Sequence, residues 1–209
     1  MIAHERAAEI VRSGISNSAS TYREWTEGLS LLDSGCENLL VATVARRLAA
    51  ENRRRGVGAL SLEVSLGSIR KQMSILKVGR ISPKIRSTKR ADIVLWSANG
   101  KPYGIIEIKR TQQLKGWRED ILELIGIVRA YGHAPINGIK FGTFGAFLFN
   151  KGKSNSDRAV AKIEKMVDSM QSDDIKLQLK ICPKKHWDAS NRNSDYIYRV
   201  LSVTVAKSD

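Results

Sequence analysis

Two short apolar segments carry ionisable side chains that interior strands normally lack. Asp92 opens the segment Asp92–Trp96, and Glu107 and Lys109 close the segment Tyr103–Lys109. Side chains alternate across a β-strand, so Glu107 and Lys109 share one face of their strand. A buried charge without a partner costs several kcal/mol or is neutralised by a pKa change. These groups must therefore meet each other or a ligand.

A divalent metal ion is one such ligand. Mg²⁺ prefers carboxylate oxygens and water in octahedral geometry, and Asp92 and Glu107 on neighbouring strands would supply the carboxylates. The backbone carbonyl of Ile108 is close enough in the chain to be a third metal ligand. Lys109 could orient or deprotonate an attacking water, or stabilise negative charge in the transition state. The structural alternative is a salt-bridged cluster in which Glu107 and Lys109 simply pair.

The remaining pattern predicts the elements that position these residues. Asn99-Gly100 is typical of a tight turn, so the two segments should form a hairpin. We expect a single mixed α/β domain over 1–209, with a helical N-terminal addition over 1–33, a core over 34–150 and a C-terminal extension of one helix and two strands over 151–209. The expected helices cover 3–13, 18–29 (with Trp25 as a core anchor), about 37–50, 117–131 and 156–171. The expected strands cover 60–66, 92–96, 103–109, 143–149, 175–181 and 196–205, and 67–90 is expected to be part strand and part basic loop.

The spacing of the hairpin residues resembles the PD-(D/E)xK nuclease superfamily, whose restriction-endonuclease-like fold has an αβββαβ core and a central mixed sheet. Arg90-Ala-Asp-Ile-Val-Leu95 and Gly104-Ile-Ile-Glu-Ile-Lys109 carry the resemblance, and Ala91 stands where the motif has proline. The order of elements over about 36–150 is similar to that core. The resemblance implies an endonuclease that hydrolyses phosphodiester bonds with one or two Mg²⁺ ions, for which Mn²⁺ should substitute.

Two further residues come into question through the same resemblance. Many members carry an acid on the first core helix, and Glu37 fits that place, three and four residues before the apolar Leu40 and Val41. Ser34 and Glu37 also fit a capping box, in which Glu37 would only satisfy a backbone amide. Gln113, like Gln112, follows the second strand, where some subfamilies place a glutamine near the metal-bound water. A solvated loop is the alternative for this position.

The charge of the chain indicates the kind of partner. Lys and Arg total 35 against 21 Asp and Glu, a formal net charge of +14 among 209 residues. A polyanion would relieve this self-repulsion, and nucleic acid also gains from counterion release. Basic residues next to the Asp92 strand could contact the phosphate backbone. These are Lys84, Arg86, Lys89 and Arg90. A solvated basic loop is the alternative.

Other features exclude several classes of function. His4, His133 and His186 have neither zinc-site nor triad spacing, and the two cysteines do not suggest a disulfide framework. No signal peptide, membrane span or basic amphipathic helix is evident, so we expect a cytoplasmic protein with no membrane partner. Gly142 and Gly145 fit no nucleotide-binding motif and should allow close helix packing.

The sequence therefore predicts a Mg²⁺-dependent nuclease built on Asp92, Glu107 and Lys109, with Glu37 and Gln113 in support. DNA is preferred over RNA only through the resemblance. A homodimer would suit cleavage of both strands of a duplex. The rival prediction is a catalytically silent nucleic-acid-binding protein of the same fold, which would regulate or scaffold a nucleoprotein complex and bind equally well in EDTA.

Overall fold

A computed structural model describes most of the chain. It covers residues 1–27, 37–56, 58–73, 89–110, 113–132, 138–183, 185–186 and 196–208, with the backbone alone of Arg70 and His186. Of the residues predicted to act in the site or at the nucleic-acid surface, Lys84 and Arg86 lie outside these ranges. Gln112, Ser34 and His133 lie outside them as well.

The described residues form five helices and seven strands. The helices are α1 (His4–Trp25), α2 (Glu37–Arg55), α3 (Leu66–Met73), α4 (Leu114–Tyr131) and α5 (Lys153–Asp168). The strands are β1 (Ala59–Ser65), β2 (Arg90–Trp96), β3 (Pro102–Lys109), β4 (Phe141–Lys151), β5 (Ile175–Ile181), β6 (Lys185–His186) and β7 (Tyr196–Lys207). All the predicted strands are confirmed to within a few residues.

One mixed sheet organises the molecule. Its strands lie in the order β1-β2-β3-β4-β7-β5, and β6 pairs with β7. β3 and β4 run parallel and the other pairs run antiparallel. The predicted hairpin is confirmed as β2 and β3. A mixed α/β class with a central mixed sheet is therefore confirmed.

Helices cover both faces of the sheet. Helices α1 and α2 pack on one face through residues such as Val11 and Val44, and α3, α4 and α5 pack on the other through residues such as Trp117 and Ile163. Both faces of β3 and β4 are thus buried, which explains why these strands are apolar almost without alternation. No helix in the described ranges is long and apolar enough to cross a membrane.

The N-terminal prediction of two helices is wrong. A single helix spans His4–Trp25. Its central residues have low helix propensity but pack closely on α2, where a Cβ at Gly14 would lie 2.7 Å from Val44 Cγ2. Trp25 is not a core anchor. It is 70% exposed because it ends the helix, beyond the last buried residue, Ala19.

Two other segments bear on the packing of the helices. Leu66–Met73 is a helix rather than part strand, because Leu66, Ile69 and Met73 recur at helical spacing and all three are buried. The predicted role of the strand glycines is confirmed. A Cβ at Gly142 would lie 3.0 Å from Leu124 on α4, and one at Gly145 would lie 2.4 Å from Val11 on α1.

Candidate active site

The predicted acids meet where β2 and β3 stop pairing. The antiparallel register runs as far as Ile93 opposite Ile106, and the next residues outward are Asp92 and Glu107. Beyond this point a side chain replaces the backbone as hydrogen-bond partner, because Asp92 Oδ2 accepts a hydrogen bond of 2.6 Å from the backbone N–H of Ile108. The contact of Ile108 with Asp92 is through this N–H, whereas the sequence singled out the Ile108 carbonyl.

Glu107 and Lys109 form a partly buried ion pair on the α4 face of the sheet. Only 6% of Glu107 is exposed, and its Oε1 accepts a hydrogen bond of 2.6 Å from Lys109 Nζ. Ile105, two residues earlier, packs into the same cluster as Trp117 of α4. The shared face predicted from strand alternation is therefore present, and the predicted pairing of Glu107 with Lys109 is present as well.

The surroundings disfavour ionisation of both acids. Burial raises the pKa of Asp92 to about 6, against the opposing hydrogen bond from Ile108 and the charge of Lys109. Burial, followed by the charge of Asp92, raises the pKa of Glu107 to about 7, although Lys109 opposes it. The charge of Lys109 therefore does not fully offset the burial of these carboxyl groups and the repulsion that Glu37 and Glu63 exert on Asp92, and Asp92 on Glu107. The pair is therefore suited to receive a cation.

The same network fixes the charge of Lys109. Burial acts to lower its pKa, but the carboxylates of Glu107, Asp92 and Asp120 outweigh burial, and the net change raises the pKa above the usual value. Lys109 is therefore an ammonium at neutral pH in the metal-free protein. Of the roles considered from the sequence, charge stabilisation and orientation fit this state, and abstraction of a proton does not.

Glu37 reaches the site from the opposite face of the sheet. It is the first residue of α2, and its Oε2 accepts a hydrogen bond of 2.8 Å from the backbone N–H of Arg110, directly after β3. Its Oε1 lies 3.8 Å from Lys109 Nζ. Glu37 thus connects the start of α2 to the end of β3 and adds a further carboxylate near Lys109.

A second layer of charges, on α4, escaped the sequence reasoning. Asp120 is only 8% exposed, and its Oδ2 lies 4.0 Å from Lys109 Nζ while its Oδ1 lies 2.6 Å from Lys89 Nζ. Glu123, one turn later, also pairs with Lys89. The sequence did offer a signal, since Asp120 is the neighbour of Ile121 and three residues from Trp117 on the apolar face of the helix.

This layer changes the interpretation of Lys89. We predicted Lys89 as a phosphate contact, but its ammonium is held between two acids of α4 in a half-buried ion-pair network. A cavity of about 10 Å³ lies beside it, lined by Glu107, Asp120 and Glu123, which is room for about one water. The contacts of Lys89 are thus with acids of α4, whereas Arg90, the next residue, is exposed.

Glu63 on β1 is a further residue that the sequence did not reveal. It occupies the register position between Leu62–Ile93 and Val64–Ala91, across from Asp92. Its φ of 53° lies in the left-handed region, which costs a non-glycine residue about 1 kcal/mol or more. Its charge also contributes to the raised pKa of Asp92, after burial and the repulsion from Glu37.

The remaining predicted residues lie outside this cluster. Gln113 is exposed at the start of α4, where its backbone carbonyl accepts a hydrogen bond of 3.0 Å from the Trp117 N–H and its side chain makes no cap. His4 pairs with Glu5 at the surface. Trp117, also near the start of α4, lies in the core, at 1% exposure.

The donor set can be tested against the predicted metal. Among the residues that the structure describes, no group of three or more His, Cys, Asp or Glu side chains is arranged to hold a metal ion. Mg²⁺ does not need such a group, because it is commonly bound by one or two carboxylates and keeps several waters. The Asp92 and Glu107 pair therefore fits Mg²⁺ better than a metal that requires a complete protein cage.

Comparisons of this chain with protein-family models, with curated proteins and with solved structures found no match.

Proposed function

We propose that the chain is a metal-dependent nuclease that hydrolyses phosphodiester bonds at Asp92, Glu107 and Lys109. The observation that carries the proposal is the meeting of the buried carboxyl group of Glu107 and the partly buried one of Asp92, with pKa values raised to about 7 and about 6, beside a lysine where β2 and β3 stop pairing. Several ionisable groups with perturbed pKa values in one small region are typical of functional sites.

Asp92 and Glu107 would hold Mg²⁺ or Mn²⁺ together with the Ile108 carbonyl, waters and a substrate phosphate. The metal would supply Lewis acidity and a more acidic bound water. The ammonium of Lys109 would stabilise the charge that develops on the phosphoryl oxygens. Glu37 would keep Lys109 and the end of β3 in place through its contacts with Lys109 and the Arg110 amide.

The substrate class follows from charge and resemblance. A net charge of +14 favours a polyanion, and a phosphodiester is the electrophile that such a site attacks. The order α2-β1-β2-β3-α4-β4, with α3 inserted after β1, is similar to the αβββαβ order of the restriction-endonuclease-like fold. This order supports the proposed resemblance to the PD-(D/E)xK superfamily. DNA as the substrate and a homodimer that cuts both strands are proposed through that resemblance alone.

One observation favours the rival function. Lys109 Nζ already lies 2.6 Å from Glu107 Oε1, so the acids have a partner without any metal. A nucleic-acid-binding protein that keeps this network only for structure would need no cation.

Cleavage assays separate the two. Plasmid, linear and single-stranded DNA should be cut with Mg²⁺ or Mn²⁺ by the wild type, and cutting should be lost in Asp92→Ala and Lys109→Ala. Asp168→Asn, an exposed acid at the end of α5, is the matched control and should cut normally. Absence of cleavage on every substrate, with binding unchanged by EDTA and by both site variants, would establish the rival.

A further inference from the structure

Four aromatic rings form a ladder on the ribbon that extends past the candidate site. In the parallel register Lys109, the last residue of β3, lies beside Ala146 of β4, and β4 continues for five more residues to Lys151. This extension pairs with the start of β7, where Lys151 lies opposite Tyr196. The ribbon of β4 and β7 therefore begins its projection at the end of the sheet where Glu107 and Lys109 lie.

The ladder runs from the core to the surface. Tyr198 stacks on Phe147 with ring centres 5.3 Å apart, and Phe147 lies 6.3 Å from Phe149. Phe149 stacks on Tyr196 at 4.9 Å with an angle of only 11° between the rings. Phe147 is fully buried and Tyr198 is 8% exposed, whereas Tyr196, at the other end of the ladder, is 36% exposed. Phe149 and Tyr196 are thus nearly parallel, and the outer ring, Tyr196, is accessible to solvent, which packing of the core does not explain.

Positive charge flanks the rings on the same face of the ribbon. Residues directly opposite each other in an antiparallel pair share a face. Lys151 is opposite Tyr196, and Lys185 of β6 is opposite Tyr198. Both lysines are exposed, and Lys185 Nζ also contacts Ser16 Oγ of α1 at 3.3 Å. The accessible ring of Tyr196 therefore has a lysine directly opposite it on β4 and a second lysine nearby on β6.

Unpaired nucleotides are the ligand whose chemistry matches this surface. Proteins that bind single-stranded nucleic acid combine stacking aromatics with lysines that contact the phosphates. In a duplex the faces of the bases stack on each other and are not accessible to an aromatic side chain. An apolar protein surface would offer no negative charge to the lysines beside the rings. Phe149 is three residues past Ala146, which is roughly 10 Å along the strand from the level of Lys109. A few nucleotides would bridge that separation.

We propose that Tyr196 and Phe149, with Lys151 and Lys185, form a base-stacking platform for an unpaired strand next to the candidate site. This inference rests on the proposed nuclease function and adds that the substrate contains a single-stranded segment. The platform lies on the α1 and α2 face, from which Glu37 also enters the site. The strand would therefore pass the end of β3 on the Glu37 side.

The test uses the full-length protein in EDTA, which prevents metal-dependent cleavage. The ligand is a single-stranded oligonucleotide that contains the fluorescent base 2-aminopurine and a terminal fluorescent label. Binding is measured by the fluorescence anisotropy of the label, and stacking by quenching of the 2-aminopurine fluorescence. Tyr196→Ile keeps a strand-forming residue without a ring, and Tyr196→Phe keeps the ring. We expect Tyr196→Ile to bind about fivefold to a hundredfold more weakly and to lose the quenching, while Tyr196→Phe behaves as the wild type.

Two comparisons keep the proposals apart. An oligonucleotide whose nucleotides lack bases should bind wild type and Tyr196→Ile with equal affinity. Blunt duplex DNA should also bind the two proteins equally. If the wild type binds single strands but Tyr196→Ile binds them equally well with equal quenching, the platform is refuted and the nuclease proposal stands. If the wild type binds no nucleic acid of any form, both proposals fail.

Discussion

Replacement of Glu107 by glutamine should stabilise the metal-free protein above pH 7. A pKa of about 7 in place of 4.5 means that the fold disfavours the ionised form by about 3 kcal/mol at pH 8. Glutamine has nearly the same shape without the charge. It loses the ion pair with Lys109, so the net gain should be smaller, between about 1 and 3 kcal/mol. The melting temperature should rise by about 2–4 °C for each kcal/mol gained.

The pH dependence gives the sign of this effect. The pKa of Glu107 is higher in the folded than in the unfolded protein, so the folded state holds the proton more tightly. Its contribution to stability is fully present below the unfolded value near 4.5 and is lost as the pH rises through about 7. Wild type and Glu107→Gln should therefore have similar stability at pH 4.5, diverge as the pH rises to about 7, and show a nearly constant difference above it.

Urea denaturation at pH 4.5, 6 and 8 measures this divergence directly, and Glu164→Gln on the surface of α5 is a suitable control. Mg²⁺ provides a second readout, because a ligand that binds only the folded state stabilises it. Mg²⁺ should raise the melting temperature of the wild type and not that of Glu107→Gln. A variant that is less stable than the wild type at pH 8 would show that the ion pair with Lys109 outweighs the burial of charge and would refute this reasoning.

Four further predictions follow from contacts in the site and in the core. Lys109→Met should slow cleavage more than tenfold and move the acid limb of the pH–rate profile to higher pH, because Lys109 lowers the pKa of both acids; an unmoved limb would contradict this. Lys89→Met should lower stability by about 1–3 kcal/mol without changing the salt dependence of DNA binding, whereas loss of a phosphate contact would reduce that slope by about one. Gly145→Ala should cost about 1–3 kcal/mol in denaturant melts because its Cβ would lie 2.4 Å from a side chain of α1, while Gly116→Ala, with nothing within 4 Å, should be neutral or stabilising. Glu63→Gly should gain about 1 kcal/mol by relieving the positive φ, and Glu63→Gln, which keeps the backbone and removes only the charge, should gain less.

The sequence predicted the features that follow from periodicity. The hairpin of β2 and β3, the buried β4 and the amphipathic α4 each have a pattern that one element alone satisfies, and all are present. The site residues Asp92, Glu107 and Lys109 could be singled out because charge is rare in apolar strands. Their mutual proximity followed from the hairpin register.

What the sequence could not predict depends on contacts between distant segments. The unbroken α1 requires the packing of Gly14 on Val44, which local propensity does not contain. Asp120 joins the site because α4 lies over β3, and a single acid on a helix gives no indication of its partner. Glu63 is an exposed acid in a strand until its φ and its position across from Asp92 are known.

These unpredicted features share a physical implication. Ionisation of Asp92 and Glu107 is disfavoured by burial, Glu63 occupies a strained backbone conformation, and all three lie within neighbouring register positions. The faces of β2 are also interrupted there, because Ala91 and Val94, three residues apart, pack in the same cluster. A sheet end that served only for stability would be more stable with apolar side chains and regular backbone. The cation and phosphate that we propose as ligands would offset these costs on binding, so the concentration of costs at one place is an argument for a ligand site that no single residue provides.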